Sequence, residues 1–117
     1  MREPTAAPEL DRVVIALPDR ARDLVLAPDV AERLVARILA AAQAAEAWEL
    51  AGGRGCLVVG IERGALVRSW DGNVNVRFDS VVDREFIPWR AAVALAGEIQ
   101  AKIVEAREHL CIVWAPR

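Results

Sequence analysis

Pro28 and Pro88 each stand at the head of a long stretch in which apolar residues recur every three or four positions, and these two stretches limit the possible folds more than anything else in the chain. Proline suits the first position of a helix, where its missing N–H would have had no intrahelical partner. After Pro28, the residues Val30, Ala31, Leu34, Val35, Ile38, Ala41, Ala42, Ala45 and Trp48 define one broad apolar side. Asp29 and Glu32 set negative charge against the positive end of the helix dipole. The "GGRG" run at 52–55 ends the helix, because glycine accepts the left-handed cap conformation. After Pro88, a second helix is expected from Trp89 to about His109, with Ala92, Leu95, Ile99, Ile103 and Ala106 as its core stripe. Two helices with one buried stripe each need a surface to bury them against.

The intervening residues supply strands. "VVIAL" (13–17) and "LVL" (24–26) flank "PDRARD", whose proline and aspartates favour a turn, so a hairpin is expected there. "CLVVGI" (56–61), "ALVRSW" (65–70) and "VNVRF" (74–78) read as a three-strand meander joined through Gly64 and through Asp71-Gly72, a strong two-residue hairpin signal. "EFI" (85–87) runs into Pro88, and "LCIVWAP" reads as a final strand, short, apolar and stopped by Pro116. Residues 1–11, with two prolines and no periodicity, are expected to form a flexible N-terminal tail ahead of a single domain over 12–117.

The expected fold class is α+β, a mainly antiparallel sheet carrying two helices on one face in the order ββα-βββ-βαβ. That order contains a βαββαβ subset and resembles a ferredoxin-like sandwich with added strands, a likeness of architecture that implies no chemistry. Sliding the chain by 61 residues sets Val13 on Val74, Ile15 on Val76, Leu17 on Phe78, Val25 on Phe86, Leu26 on Ile87, Leu34 on Leu95 and Ile38 on Ile99. Internal duplication and convergence on one pattern both remain open at this level.

Composition narrows the function. With 55% hydrophobic and 27% charged residues in 117, the chain belongs with folded globular domains. A net charge of -2 gives no cationic field for phosphate backbones, so nucleic acid is an unlikely partner. No run of 18 apolar residues exists and the N-terminus lacks a leader's apolar stretch, so a cytoplasmic location without membrane insertion is expected. His109 is the one histidine, at an expected helix end where imidazole commonly meets free carbonyls, and it does not carry a Ser-His-Asp reading. Cys56 and Cys111 match no metal or redox spacing, although on neighbouring strands they would come within reach of each other. No catalytic, cofactor or metal site is expected. Asp71, Asp79, Asp83, Glu85 and Glu62 are expected to form a solvated acidic rim.

The first helix carries a further feature, a ridge of Ala36, Ala40, Ala44 and Ala47 outside its core stripe, while the second offers Ala94, Gly97 and Ala101. Such strips either mate with each other inside the monomer or join a second copy. Trp70, beside the hairpin turn, and Trp89, at a helix start, are the tryptophans expected to be partly exposed and to anchor an interface. The candidate interface residues are therefore Ala36, Ala40, Ala44, Ala47, Trp70 and Trp89. The function expected is a non-catalytic protein–protein interaction or assembly module, homo-oligomeric, binding itself and a further unidentified protein. Two rivals remain: a small acidic antagonist of the kind a phage directs against a host nuclease or defence complex, and a small-molecule-binding ferredoxin-like domain. The Ala- and Arg-rich style is that of bacterial or phage accessory proteins.

Overall fold

Alternation sets the strands and 3.6-residue periodicity sets the helices, and the two pack into one α+β core. The computed structural model describes residues 3–9, 12–17, 23–52, 65–70, 72–79 and 84–114. In chain order these form β1 (Thr5–Glu9), β2 (Arg12–Ala16), β3 (Asp23–Leu26), α1 (Pro28–Leu50), β4 (Ala65–Trp70), β5 (Asn73–Phe78), β6 (Arg84–Pro88) and α2 (Trp89–Trp114). The strands make two small antiparallel sheets, ordered β1-β2-β6 and β3-β5-β4. Both helices pack against both sheets and against each other.

Several expectations are corrected. The expected flexible tail contains β1, which pairs with β2 along its length, Thr5 opposite Ala16 and Glu9 opposite Arg12. Its prolines concealed it. A proline lacks the N–H that a central strand must donate, yet it is tolerated at a sheet edge, and β1 is an edge. The hairpin expected between 13–17 and 24–26 does not form, because β2 lies between β1 and β6 while β3 pairs with β5 in the other sheet. The expected final strand at 110–114 is the last turn of α2. A short apolar run fits a strand or a buried helix end equally well, and no helix breaker separates His109 from Trp114. Without that strand, and with two three-stranded sheets in place of one, the ferredoxin-like strand order is not what the described residues make. Residues 56–61, read as the first strand of the meander, lie outside the described residues.

Other expectations hold. β4 and β5 form the hairpin, with Trp70 opposite Asn73 and Gly72 in the turn at φ 76°, a conformation that favours glycine. α1 begins at Pro28, and the Ala31 amide donates to the Ala27 carbonyl. At its other end the Gly52 amide donates to the Glu49 carbonyl with φ 79°.

The two halves match element by element at an offset of 61. β1, β2, β3 and α1 shifted by 61 fall on β4, β5, β6 and α2. The registers follow the same rule: Ala6 pairs with Ile15 as Val67 pairs with Val76, and Val13 pairs with Ile87 as Leu26 pairs with Val74. Each half's hairpin thus takes its third strand from the other half. Burial repeats as well, since Ile15 and Val76, Leu26 and Ile87, Leu34 and Leu95, and Ile38 and Ile99 all lie in one core cluster.

Removing residues 1–9 should therefore strip β2 of one neighbour and α1 of a strand it packs on, lowering the urea midpoint and exposing apolar surface. A dispensable tail would leave the midpoint unchanged in a chemical denaturation series followed by circular dichroism.

Candidate functional site

The core stripe of α1 occupies one arc of the helix, Ala31, Leu34, Val35, Ile38, Ala41, Ala42 and Ala45. By helical geometry Ala36, Ala40, Ala44 and Ala47 fall on the opposite arc, and all four are exposed. Of the four, Ala36 borders the groove shared with α2. On α2 the corresponding outward residues are Val93, Ala94, Gly97, Ala101 and Val104, also exposed, with Val93 at 45% and Val104 at 56%. The outer side of the helix pair is thus paved largely with methyl groups. Gly97 adds to this, as a Cβ built on it meets nothing within 4 Å. Glycine in a helix interior costs about 1 kcal/mol relative to alanine, and no contact among the described residues requires it.

The helices run antiparallel, as polar contacts at the two ends establish. At one end the Arg107 guanidinium donates to Glu32 Oε1. At the other, the Trp89 indole Nε1 donates to Glu49 Oε2. Trp89 is half-buried, and the Arg90 guanidinium lies 4.9 Å from its ring centroid. Trp89 thus sits at the end of the helix pair near the C-terminus of α1. Trp70 ends β4 in the sheet, so the structure does not bring it into the alanine ridge, and its side chain lies outside the description.

Between the helices runs a groove of about 400 Å³, lined by Glu32, Val35, Ala36, Leu39, Gln100, Ile103, Val104 and Arg107. Its floor is apolar, and its polar groups are the Glu32–Arg107 pair and the Gln100 amide. The hydrogen bond from Arg107 holds the Glu32 carboxyl below its usual range, and the same bond raises the Arg107 guanidinium. Nothing local in the sequence marks this pair, whose members lie 75 positions apart. The groove offers shape and an ion pair, without a nucleophile. Among the described residues no group of three or more His, Cys, Asp or Glu is placed to hold a metal ion, and no helix is long and apolar enough to cross a membrane.

Two further expectations are corrected. Glu85, assigned to a solvated acidic rim, is 1% exposed, facing the core from β6 at the position equivalent to Leu24 in β3. The 61-residue offset was the signal that would have placed it inside. Asp79 is exposed, while Glu62, Asp71 and Asp83 lie outside the described residues. Cys111 belongs to α2, which removes the neighbouring-strand arrangement with Cys56, itself outside the described residues. His109 is helical, with its side chain outside the description.

No protein-family model, curated protein or solved structure matches this chain.

Two outcomes are expected. The Glu32 carboxyl is held low in the folded chain, so its contribution to stability is complete above its ordinary value of 4.5 and disappears as pH falls through the folded value. The Arg107 contribution is present below its ordinary range and is lost only in strong alkali. Between neutral pH and about pH 3, Tm should fall less in Glu32→Gln than in the natural chain, and added salt should narrow the gap. Equal slopes would show that the pair contributes nothing measurable. Gly97→Ala should stabilise the monomer by about 0.5–1 kcal/mol, read from urea denaturation.

Proposed function

We propose that this protein is a non-catalytic assembly module that pairs with a second copy of itself through the outer side of α1 and α2. One observation carries the reading: Ala36, Ala40, Ala44 and Ala47 face water in the single chain alongside Val93, Gly97 and Val104. Side chains this small let a second backbone approach closely, and contiguous exposed apolar area of this kind commonly marks an interaction site. At about 25 cal/mol per Å², a patch of roughly 500 Å² corresponds to about 12 kcal/mol of gross burial before association costs. Gly97 fits the same reading, because a helix-weakening residue with open space around it serves close approach from outside. Trp89, half-buried at one end of the helix pair, forms part of the rim.

The fold supports a companion reading, that the two halves descend from one βββα unit by duplication. Matching element bounds, registers and core positions at a constant offset favour duplication over convergence. A two-fold unit tethered into one chain is itself an assembly device, and pairing between whole chains extends the same principle.

Small-molecule binding is the second reading, favoured by the groove beside Leu39 and Gln100. Val104 and Ala36 line it and also belong to the outer side, so a second copy seated there covers the groove. The acidic-antagonist reading has no comparable support, since Glu85 is withdrawn from the surface.

Sedimentation equilibrium at tens of micromolar should give a dimer or larger species. Ala40→Glu with Ala44→Glu should give a monomer whose circular dichroism and Tm are unchanged. A natural chain that stays monomeric at high micromolar concentration sinks the assembly reading, and a dimer indifferent to both substitutions removes the surface named here.

A further inference from the structure

The outer side of the helix pair is polarised. On α1 this side carries Asp29, Arg33 and Arg37, and on α2 it carries Arg90, Glu98, Glu105 and Glu108, all exposed, so that the basic residues prevail on α1 and the acidic ones on α2. Arg37 and Glu98 occupy equivalent positions in the two halves and bear opposite charges. Arg33 engages Glu3 and Asp29, and Glu105 engages Lys102. Arg37, Glu98 and Glu108 make no ion pair among the described residues.

Resting on the assembly reading, we infer that the second copy docks with its α2 over α1, about a two-fold axis parallel to the helices. The antiparallel packing, with Glu32 beside Arg107, sets the levels along the helix pair. Arg33 and Arg37 lie level with the C-terminal half of α2, and Ala44 and Ala47 lie level with Val93 and Ala94. A two-fold axis parallel to the helices preserves these levels while exchanging left and right. Arg33 then lies level with the second copy's Glu105 and Arg37 within about one helical turn of its Glu98, two opposite-sign contacts that outnumber the single like-sign one, Asp29 level with Glu108. The alanines of α1 meet Val93, Ala94, Gly97 and Ala101, where the smallest side chains of both helices coincide. The competing two-fold axis, perpendicular to the helices, stacks α1 on α1 and α2 on α2. It sets glutamates against glutamates, and juxtaposed like charges at an interface are costly.

The area is sufficient. α1 has 23 residues and so spans about 35 Å, and two helices side by side present a face about 20 Å wide. That gives roughly 700 Å² on each copy, about 1,400 Å² in total, within the range of specific stable interfaces.

Charge reversal tests the axis in the full-length chain. Arg37→Glu and Glu98→Arg should each weaken self-association about tenfold or more in sedimentation equilibrium, because each variant sets like charges together twice. An equimolar mixture of the two should associate within about threefold of the natural chain, since both mixed contacts are then opposite in sign, and a single chain carrying both substitutions should behave likewise. A mixture no tighter than its separate components overturns this geometry while leaving assembly intact. A monomeric natural chain overturns both.

Discussion

The pairing of β2 with β6 and of β3 with β5 is the constraint on which the rest of the structure depends. Each half supplies a two-stranded hairpin, and such a ribbon alone is marginal in water. The third strand comes from the other half in both sheets. Backbone hydrogen bonds therefore join the halves directly, and neither can turn or shift register independently. Ile15 in β2 and Val76 in β5 sit at the middle strands with no exposed surface. α1 and α2 then close a single core over both sheets, so helix packing follows from strand exchange.

Much of this was legible because periodicity is a local property. Pro28, Gly52 and a 3.6-residue apolar pattern locate α1 without tertiary information, and Asp71-Gly72 with the Val76–Phe78 alternation locates the β4–β5 hairpin. Knowing the core arc of α1 also places Ala36, Ala40, Ala44 and Ala47 on the opposite arc. What failed was non-local. Pro8 argues against a strand until β1 is known to be an edge, and adjacency in sequence argues for a β2–β3 hairpin until β6 and β5 are known to compete for those edges. The Glu32–Arg107 pair depends on how two distant helices meet, which no local pattern encodes. Glu85 shows a subtler failure. Its charge suggested a rim, whereas alternation with Ile87 and equivalence with Leu24 place it inward, and geometry prevails over residue type.

The scant polar surface of α1 also has a physical account. A helix covering a core needs one apolar arc and a solvated remainder. On α1 the remainder is divided, with Asp29, Glu32, Arg33 and Arg37 crowding the first turns and alanines taking over toward Leu50. Charge is kept where ion pairs with Glu3 and Arg107 use it, and small side chains occupy the stretch beyond. α2 reverses the arrangement, with Val93, Ala94 and Gly97 early and Glu105, Arg107 and Glu108 late. Because the helices are antiparallel, the end at Glu32 and Arg107 holds most of the charge and the other end most of the exposed methyl groups, with Glu46, Glu49 and Arg90 as its charges.

Strand exchange also sets a timetable for synthesis. β6, which covers the second edge of β2, leaves the ribosome some seventy positions after it. At about 5–20 residues per second, that edge stays open for roughly 4 to 14 s. β3 likewise waits for β5, about fifty positions later, for roughly 2.5 to 10 s at the same rate. Such unpaired backbone recruits any strand within reach, including one from a neighbouring nascent chain. Codon usage across the second half, which governs how long the edges wait, is thereby coupled to how faithfully the chain closes on itself.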